Sequence, residues 1–187
     1  ISQLTGSTTG GTSITITGTS FTGATLVTFG GVAATSLTLV DSTTITCITP
    51  ARATAGAVGV IVITGGGPSG AFSSFTYILP PVITSISPPF GGTTGGNVVT
   101  ITGLNFKGAS SVTFGGLNAT LVKAVNDTTI TCRTPVSLTA GAVDVIVRTG
   151  GGPSGAFSSF TYITPPNITG ISPSTGSIAG LTSVTIT

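Results

Sequence analysis

The feature that most limits the fold of this chain is an internal repeat with a period of 85 residues. The string TGGGPSGAFSSFTYI occurs at Thr64–Ile78 and again, unchanged, at Thr149–Ile163. Offset by one period, the chain aligns with itself without a gap, and about two thirds of the aligned residues are identical. Residues Ile171–Thr187 repeat the pattern of Ile1–Thr17 in the same way. The chain therefore holds two full periods and the first part of a third.

A period of this length has the size of a small independent β-sandwich domain, whereas solenoid repeats typically span about 20–50 residues. We therefore predict two tandem domains, at residues 1–79 and 80–164, followed at 165–187 by the first two strands of a third, incomplete repeat. The connecting segments read ILPPVITSISPP and ITPPNITGISPS. Adjacent prolines favour extended, semi-rigid geometry, so we expect successive domains to stack end to end.

Strand signals recur about every ten residues, bounded by Gly, Pro, Asn or Asp, and helix signals are almost absent. Val99 and Ile101 fall on one face of a strand and Thr100 and Thr102 on the other, as in an antiparallel sheet with one wet face. The strands predicted in the second repeat are Val82–Ser87, Asn97–Thr102, Ser111–Phe114, Ala119–Val125, Thr129–Thr134, Ala142–Thr149 and Ala156–Ile163. This pattern predicts an all-β fold of tandem immunoglobulin-like sandwiches, with about seven antiparallel strands each.

The repeated string itself is best explained structurally. Its GGGPSG portion predicts a turn, because Gly tolerates positive φ and Pro fixes its own φ. Its AFSSFTYI portion predicts the last strand of a domain, which supplies large aromatic side chains to the core. A phosphate-binding loop would instead require Gly-Lys-Ser/Thr leading into a helix, and this string has neither the Lys nor the helix.

The composition argues against several classes of function. Charged residues make up only 4% of the chain, and the net charge is +2, which favours self-association over repulsion. His and Glu are absent, so general acid–base catalysis lacks its usual groups, and no catalytic, cofactor or metal site is predicted. Five basic residues spread over two domains do not form the basic face that nucleic acid requires. No apolar run is long enough for a membrane span, and no signal peptide is visible.

Two polar residue types in the sequence carry specific predictions. Asp41 and Asp127 fall in the turns VDSTT and VNDTT, where such side chains bond the local backbone, and Asp144 stands alone at an outward strand position. Cys47 and Cys132 occupy matching positions in TTITCITP and TTITCRTP, in phase with inward isoleucines. We predict that both are free, buried thiols rather than partners in an interchain disulfide, which is the alternative.

The order of motifs along each repeat resembles the TIG/IPT domain family. The series is PxITxIxP, a GG turn, VTITGxxF, VTFGG, TTITC followed by TP, and a closing GGPS…F.Y; the first repeat has Gln3 where the second has Pro88. The pieces that carry the resemblance in the second repeat are Pro81–Pro88, Gly95–Gly96, Val99–Phe106, Val112–Gly116, Thr128–Pro135 and Gly151–Tyr162. The resemblance covers essentially the whole chain and implies an immunoglobulin-like sandwich.

Members of that family occur in several settings, and the fold alone does not choose among them. They include cell-surface receptors such as plexins, the dimerisation domain of Rel-type transcription factors, secreted carbohydrate-active enzymes and long tandem arrays in microbial surface proteins. We expect a structural segment of an extracellular or cell-surface fibre or stalk, with other copies or repeats of itself as partner. The alternative is an adhesin module that binds carbohydrate or a receptor, although the chain has no Trp and only two Tyr for stacking on sugars.

Three acceptor sequons make Asn118, Asn126 and Asn167 candidates for glycosylation. The first two are predicted to lie in turns, and the third in the exposed segment that leads into a strand. Because Ser and Thr make up about a third of the chain, some of these sequons are expected by chance.

The incomplete third repeat predicts a mode of assembly. Ile171 lies in its first predicted strand, and Val184 and Ile186 repeat the inward positions of Val99 and Ile101. Two strands alone do not bury such a face, and their open edge invites further pairing. We expect completion from elsewhere, either by covalent continuation into more repeats or by strands from a second molecule. Both routes join units head to tail.

Overall fold

The computed structural model describes residues Ile1–Thr187 and contains only β-strands, turns and loops. It confirms the all-β, immunoglobulin-like prediction: each full repeat forms its own two-sheet sandwich. The strands of the first domain are β1 (Thr5–Ser7), β2 (Ser13–Thr17), β3 (Leu26–Phe29), β4 (Val32–Ala33), β5 (Thr35–Asp41), β6 (Thr44–Ile48), β7 (Gly56–Thr64), β8 (Gly67–Pro68) and β9 (Phe72–Ile78). No helix is long and apolar enough to cross a bilayer.

The second domain repeats this order and adds one strand at its start. Its strands are β10 (Val82–Ser87), β11 (Phe90–Gly92), β12 (Val98–Leu104), β13 (Ser111–Phe114), β14 (Leu117–Asn118), β15 (Thr120–Asn126), β16 (Thr129–Arg133), β17 (Gly141–Thr149), β18 (Gly152–Pro153) and β19 (Phe157–Ile163). The added strand, β10, pairs antiparallel with the outer edge of β12 and makes the sheet four-stranded, β10-β12-β16-β15. The matching sheet of the first domain is β2-β6-β5, so the outer edge of β2 has no full-length partner strand.

The other sheet of each domain contains a parallel pair that the sequence pattern does not predict. In the first domain the order is β1-β9-β7-β3-β4, with β8 on β7, and in the second it is β11-β19-β17-β13-β14, with β18 on β17. Within these sheets β1 runs parallel to β9, and β11 runs parallel to β19. The strands β1 and β11 are only three residues long (TGS and FGG) and do not alternate, so they carry no period-two signal.

Each sandwich has its own apolar core, built from the inward residues that alternate with threonine. In the first core Phe29 meets Phe75 edge to face at 4.9 Å between ring centroids, and Phe75 meets Tyr77 at 5.2 Å. The second core repeats this chain of rings at Phe114, Phe160 and Tyr162 with the same two spacings. The last strand of each domain therefore supplies the large aromatics expected from AFSSFTYI.

A buried tyrosine hydroxyl ties the last strand of each domain to the Thr-Pro motif. The Tyr77 hydroxyl donates to the Pro50 carbonyl and the Tyr162 hydroxyl to the Pro135 carbonyl, both at 2.9 Å. Both rings are almost fully buried, so the hydrogen bond satisfies a hydroxyl that would otherwise have no hydrogen-bond partner in the core. Burial raises the pKa of both phenols.

The third repeat forms only the two-residue strands β20 (Ile171–Ser172) and β21 (Thr185–Ile186). Ile171 pairs with Ile186 in the register that Ile86 and Ile101 adopt in the second domain. Val184, predicted to be a strand position, precedes β21 and belongs to no strand. All the side chains from Ile171 to Thr187 are exposed, because no second sheet covers this pair.

Candidate functional site at the domain ends

The two domains meet where the glycine turn between β17 and β18 packs on the end of the first domain. A Cβ placed on Gly150 would lie 3.5 Å from Cδ1 of Ile78, and one on Gly151 would overlap the Leu79 carbonyl. A Cβ on Gly152 would lie 3.5 Å from the Ser7 hydroxyl oxygen. The approach is therefore close enough that only glycine fits at position 151 without a shift of the backbone.

The same turn occurs in the first domain with the same internal hydrogen bonds but with nothing packed on it. The hydroxyl of Thr149 accepts from Gly151 N–H at 3.1 Å, and in the first domain Thr64 accepts from Gly66 N–H at 3.1 Å. Gly151 is buried and Gly66 is exposed. The turn sequence thus fixes the local geometry, and the neighbouring domain decides whether the turn is buried.

The linker is held on the second domain along the edge of β12. Pro81 is buried, and the Asn105 side-chain amide donates to the Pro80 carbonyl at 3.0 Å. A Cβ on Gly103 would overlap the Val82 carbonyl, so this glycine lets β10 lie close against β12. The linker is therefore a strand of the second sandwich and not a free tether.

The corresponding edge of the first domain carries an open groove of about 260 Å³. Only Ser2 pairs there with β2: its N–H donates to the Thr15 carbonyl at 2.8 Å, and its hydroxyl accepts from Thr15 N–H at 3.0 Å. The side chains that line the groove are largely apolar, and they include Ile1, Ile16, Phe21, Val60, Val62 and Phe72. In the second domain Ile83 and Ile86 of β10 are buried at the corresponding place.

The opposite end of the second domain is open as well. Ile163, the counterpart of the half-buried Ile78, is exposed, and so are Pro166 and Ile168 in the following segment. The predicted assembly residues Ile171, Val184 and Ile186 are also exposed. Their counterparts one period earlier, Ile78, Pro81, Ile83, Ile86, Val99 and Ile101, are buried or half-buried.

Both cysteines lie in the cores, on the inner faces of β6 and β16. Cys47 and Cys132 are free thiols with 2% of their surface exposed. Burial raises the pKa of Cys47 to about 11 and that of Cys132 to about 12. Neither thiol is therefore ionised near neutrality, and neither has the thiolate character of a reactive cysteine.

The aspartates serve separate hydrogen bonds and form no cluster. Asp41 accepts from the backbone N–H and the hydroxyl of Thr43, both at 2.7 Å, and these bonds lower its pKa. The prediction that Asp127 bonds its own turn is wrong: Asp127 instead accepts from the distant Lys107 N–H at 3.0 Å. Asn126 takes the turn position, because it is the residue that aligns with Asp41.

Asp144 accepts from the Ser158 hydroxyl at 2.7 Å. No group of three or more Cys, Asp, Glu or His side chains is arranged to hold a metal ion.

All three sequon asparagines are exposed, at different kinds of position. Asn118 ends β14, and Asn167 lies in the segment after β19. Asn126 uses its side-chain oxygen to accept from the N–H and hydroxyl of Thr128, at 2.8 and 2.9 Å.

The junction residues Gly103, Gly151 and Ser7 are functional candidates that the sequence pattern does not single out. Gly151 belongs to a string that is identical in both repeats, so the string alone does not predict which copy is buried. Asn105 replaces Ser20 of the first repeat, and this difference is the one local signal that marks the linker contact.

Comparison with known proteins agrees with the fold. The sequence pattern of the IPT/TIG domain matches residues 1–77 and again residues 81–162. The extracellular region of plexin A4 is similar in structure, with a TM-score of 0.55 and 19% identity over 90% of this chain and 16% of that one. This chain thus spans about a sixth of the length of that plexin region.

A second plexin A4 structure gives a TM-score of 0.50 at 24% identity, over 86% of this chain and 17% of that one. A surface glycan-binding protein, SGBP-B of a Bacteroides uniformis xyloglucan utilization locus, gives a TM-score of 0.40 at 23% identity. That comparison covers 81% of this chain and 45% of that one. At these identities the likeness to the two plexin structures concerns the fold alone.

Proposed function

Because the chain belongs to the IPT/TIG domain family, which its two full repeats match, we propose that it is a structural repeat segment of an extracellular or cell-surface fibre or stalk. In this proposal TIG domains join end to end, and each domain acts as a spacer. In this proposal the segment has no catalytic role. It holds the parts of the array at fixed distances and bears tension along the array.

The closed junction is the observation that carries this proposal. Gly151 approaches the Leu79 backbone closely, Pro81 is buried, and β10 runs from the linker directly into the second sandwich. A connection built from a strand and a glycine contact resists bending more than a Gly/Ser linker of similar length does. Resistance to bending is what a stalk requires, whereas a glycan-binding module does not depend on it.

The surface of the chain fits an exposed setting. Its polar groups are mostly Ser and Thr hydroxyls, and its three sequon asparagines are exposed. We propose that Asn118, Asn126 and Asn167 are glycosylated where the source cell has the machinery. An intact mass equal to that of the bare polypeptide would remove this part of the proposal.

Spin labels, one on each domain, test the stiffness of the joint. Exposed positions such as Ser42 and Asp127 suit the labels, because the native thiols are buried. We expect one narrow distance distribution in the full chain. A distribution as broad as that of a flexibly linked pair would contradict the stalk.

Antibody labelling of intact source cells tests the location. We expect the antibody to bind the surface of unpermeabilised cells, and labelling that requires permeabilisation would contradict an extracellular stalk.

Carbohydrate binding is the second candidate, and one exposed aromatic side chain of the first domain favours it. Phe72 is 44% exposed, and its aromatic face meets solvent. The solved glycan-binding proteins of similar fold motivate the same test. A specific, saturable signal on a glycan array, lost in Phe72→Ala and kept in the counterpart Phe157→Ala, would favour this function over the stalk.

A further inference from the structure

We infer that the parallel pair β11–β19 is a mechanical clamp, which keeps the second domain folded when tension runs along the chain. The first domain carries the same clamp in β1 and β9. This inference rests on the proposed stalk function, because a stalk is the setting in which the chain is pulled from both sides. It names the strand pair that resists this tension.

The path of the chain through the second domain decides where tension enters and leaves it. The linker enters at Leu79, whose carbonyl lies against Gly151, and Gly151 follows the end of β17. The chain leaves after Tyr162, which pairs with Gly141, the first residue of β17. Entry and exit therefore lie at opposite ends of this nine-residue strand, and tension along the chain pulls the two ends of the sandwich apart.

The parallel direction of β11 and β19 turns this tension into sliding. Phe90–Gly92 stand opposite residues 161–163, and both strands run from the entry end towards the exit end. Tension pulls β11 by its first residue and β19 by its last, so the strands are drawn in opposite directions along their common axis. Their hydrogen bonds then bear the load together and must break together. In an antiparallel pair the two pulled ends would lie side by side, and the bonds would open one after another.

Strand β10 stands before β11 in the path of the load. It pairs only with β12, at the outer edge of the other sheet, from Val82 to Ser87. Because the linker pulls β10 by its first residue, β10 is the first strand to resist. Once β10 slides off β12, the load passes to β11, so β10 and the clamp resist tension in turn.

Hydrogen bonds beyond the three paired residues lengthen the clamp at both ends. The Pro89 carbonyl accepts from Thr161 N–H at 2.9 Å, and the Ile163 carbonyl accepts from Thr93 N–H at 3.0 Å. In the first domain β1 is also parallel to β9, so each period carries one clamp. The matching bonds of the first domain join Leu4 to Thr76 and Thr8 to Ile78, at 2.8 and 3.0 Å.

Gly91 and Asn97 hold β11 in place between the two sheets. Gly91 is buried, and a Cβ there would lie 3.0 Å from Cζ of Phe160, so glycine lets β11 lie close against the core rings. The Asn97 side-chain oxygen accepts from Gly92 N–H at 3.0 Å, and the Asn97 N–H donates to the Thr134 hydroxyl at 3.2 Å. Before β11 slides along β19, it must therefore break its bond to Asn97 as well.

Single-molecule force spectroscopy in two directions tests the clamp. Handles attached through Leu79→Cys and Thr164→Cys on the full chain load the second domain along its own path, and the native thiols are buried. Handles at Thr139→Cys and Thr164→Cys instead open β17 and β19 from one end, since Thr139 precedes β17. At equal loading rate we expect this second geometry to rupture at about half the force or less, because its bonds break one at a time. Rupture at an equal or higher force would overturn the inference.

A pair of asparagines gives a matched test at constant force along the natural path. Asn97→Ala removes the bond to Gly92 in the clamp, and Asn126→Ala removes a bond of the same kind, to Thr128 N–H at 2.8 Å, in a turn off the path. We expect Asn97→Ala to unfold about two- to tenfold faster, as the loss of one net hydrogen bond implies, and Asn126→Ala to unfold at the unchanged rate. In denaturant both variants should lose similar stability. Equal acceleration in both variants under force, or none in Asn97→Ala, would contradict the clamp.

The results for the clamp and for the stalk are distinguishable. The clamp lies within one domain, whereas the spin-label distance reports on the joint between two domains. A broad distance distribution together with the expected difference in force would contradict the stalk and leave the clamp in place. A narrow distribution together with equal forces in the two directions would contradict the clamp alone.

Discussion

The turns Thr64–Ser69 and Thr149–Ser154 have one sequence and two surroundings. In both turns the Thr hydroxyl accepts a hydrogen bond from a glycine N–H, and both turns lead into a strand that carries the core tyrosine. Only the second turn meets a neighbouring domain, and there Gly151 leaves no space for a side chain. The comparison shows that one sequence specifies both the fold of each domain and a surface that contacts the next domain. That surface is buried only where a neighbouring domain is present.

The largest expected effect separates the stabilities of the two domains. Phe75→Ala and Phe160→Ala each remove a fully buried ring, and each should destabilise its own domain by about 3–5 kcal/mol. Because the first domain has an open groove beside its core, we expect it to unfold at the lower denaturant concentration. Hydrogen exchange with mass spectrometry resolves the domains, and Phe160→Ala opening both of them equally would show that they unfold as one unit.

The glycine pair tests the joint itself. In Gly151→Ala the new methyl group overlaps the Leu79 carbonyl, and we expect a cost of about 1–3 kcal/mol, expressed as a loosened junction. Gly66→Ala is the matched control, because its methyl group would meet only the Thr64 hydroxyl at an ordinary 3.5 Å. Spin-label distances should broaden in the first variant alone. Equal broadening in both would mean that the turn acts within each domain and not between domains.

The tyrosine pair should show no difference between the domains. Tyr77→Phe and Tyr162→Phe each remove one hydroxyl bond of 2.9 Å to a proline carbonyl, and each should cost about 0.5–1.5 kcal/mol. Arg52 lies 6.0 Å from the Tyr77 ring centroid, but the phenylalanine ring retains that contact. Denaturant titration measures both losses. A clearly larger loss at one site would show that the bond has a different role there.

The smallest effect concerns the thiols. Each cysteine has a folded pKa above its usual 9.0, so the protonated form is favoured by folding. This contribution to stability is complete below pH 9 and declines as the pH rises from 9 towards 11 and 12. Thiol labelling without denaturant at pH 8 should be slow at both Cys47 and Cys132. Rapid labelling of either one would show that its core opens locally.

Much of the sandwich is predictable from the sequence, because alternation directly reports which face of a strand is buried. The predicted strands Val82–Ser87 and Ser111–Phe114 match the structure residue for residue, and the other predicted strands match to within one or two residues at their ends. The parallel strands β1 and β11 are not predictable in this way. They are three residues long, and their pairing depends on contacts with the last strand of the domain.

The candidate site is less predictable than the fold. Gly66 and Gly151 lie in identical strings, so no local pattern distinguishes the free turn from the packed one. The hydrogen-bond partner of Asp127 was likewise not predictable from the local sequence. Its turn position suggested a local bond, but the chain folds back so that Lys107 N–H lies within reach. Contacts between distant segments decide both cases, and such contacts leave no periodic trace in the sequence.

The joint has a consequence for how a protein of this kind changes over generations. Its contacts involve mainly glycine, proline and main-chain atoms, and the glycine turn and the Pro-Pro pair both recur at the period of the repeat. A gene that gains or loses one whole period therefore keeps the glycine turn and the Pro-Pro pair at the affected joint. The length of such an array can then change by whole repeats while these residues of each joint stay the same. Selection can therefore set the reach of the protein through its number of repeats.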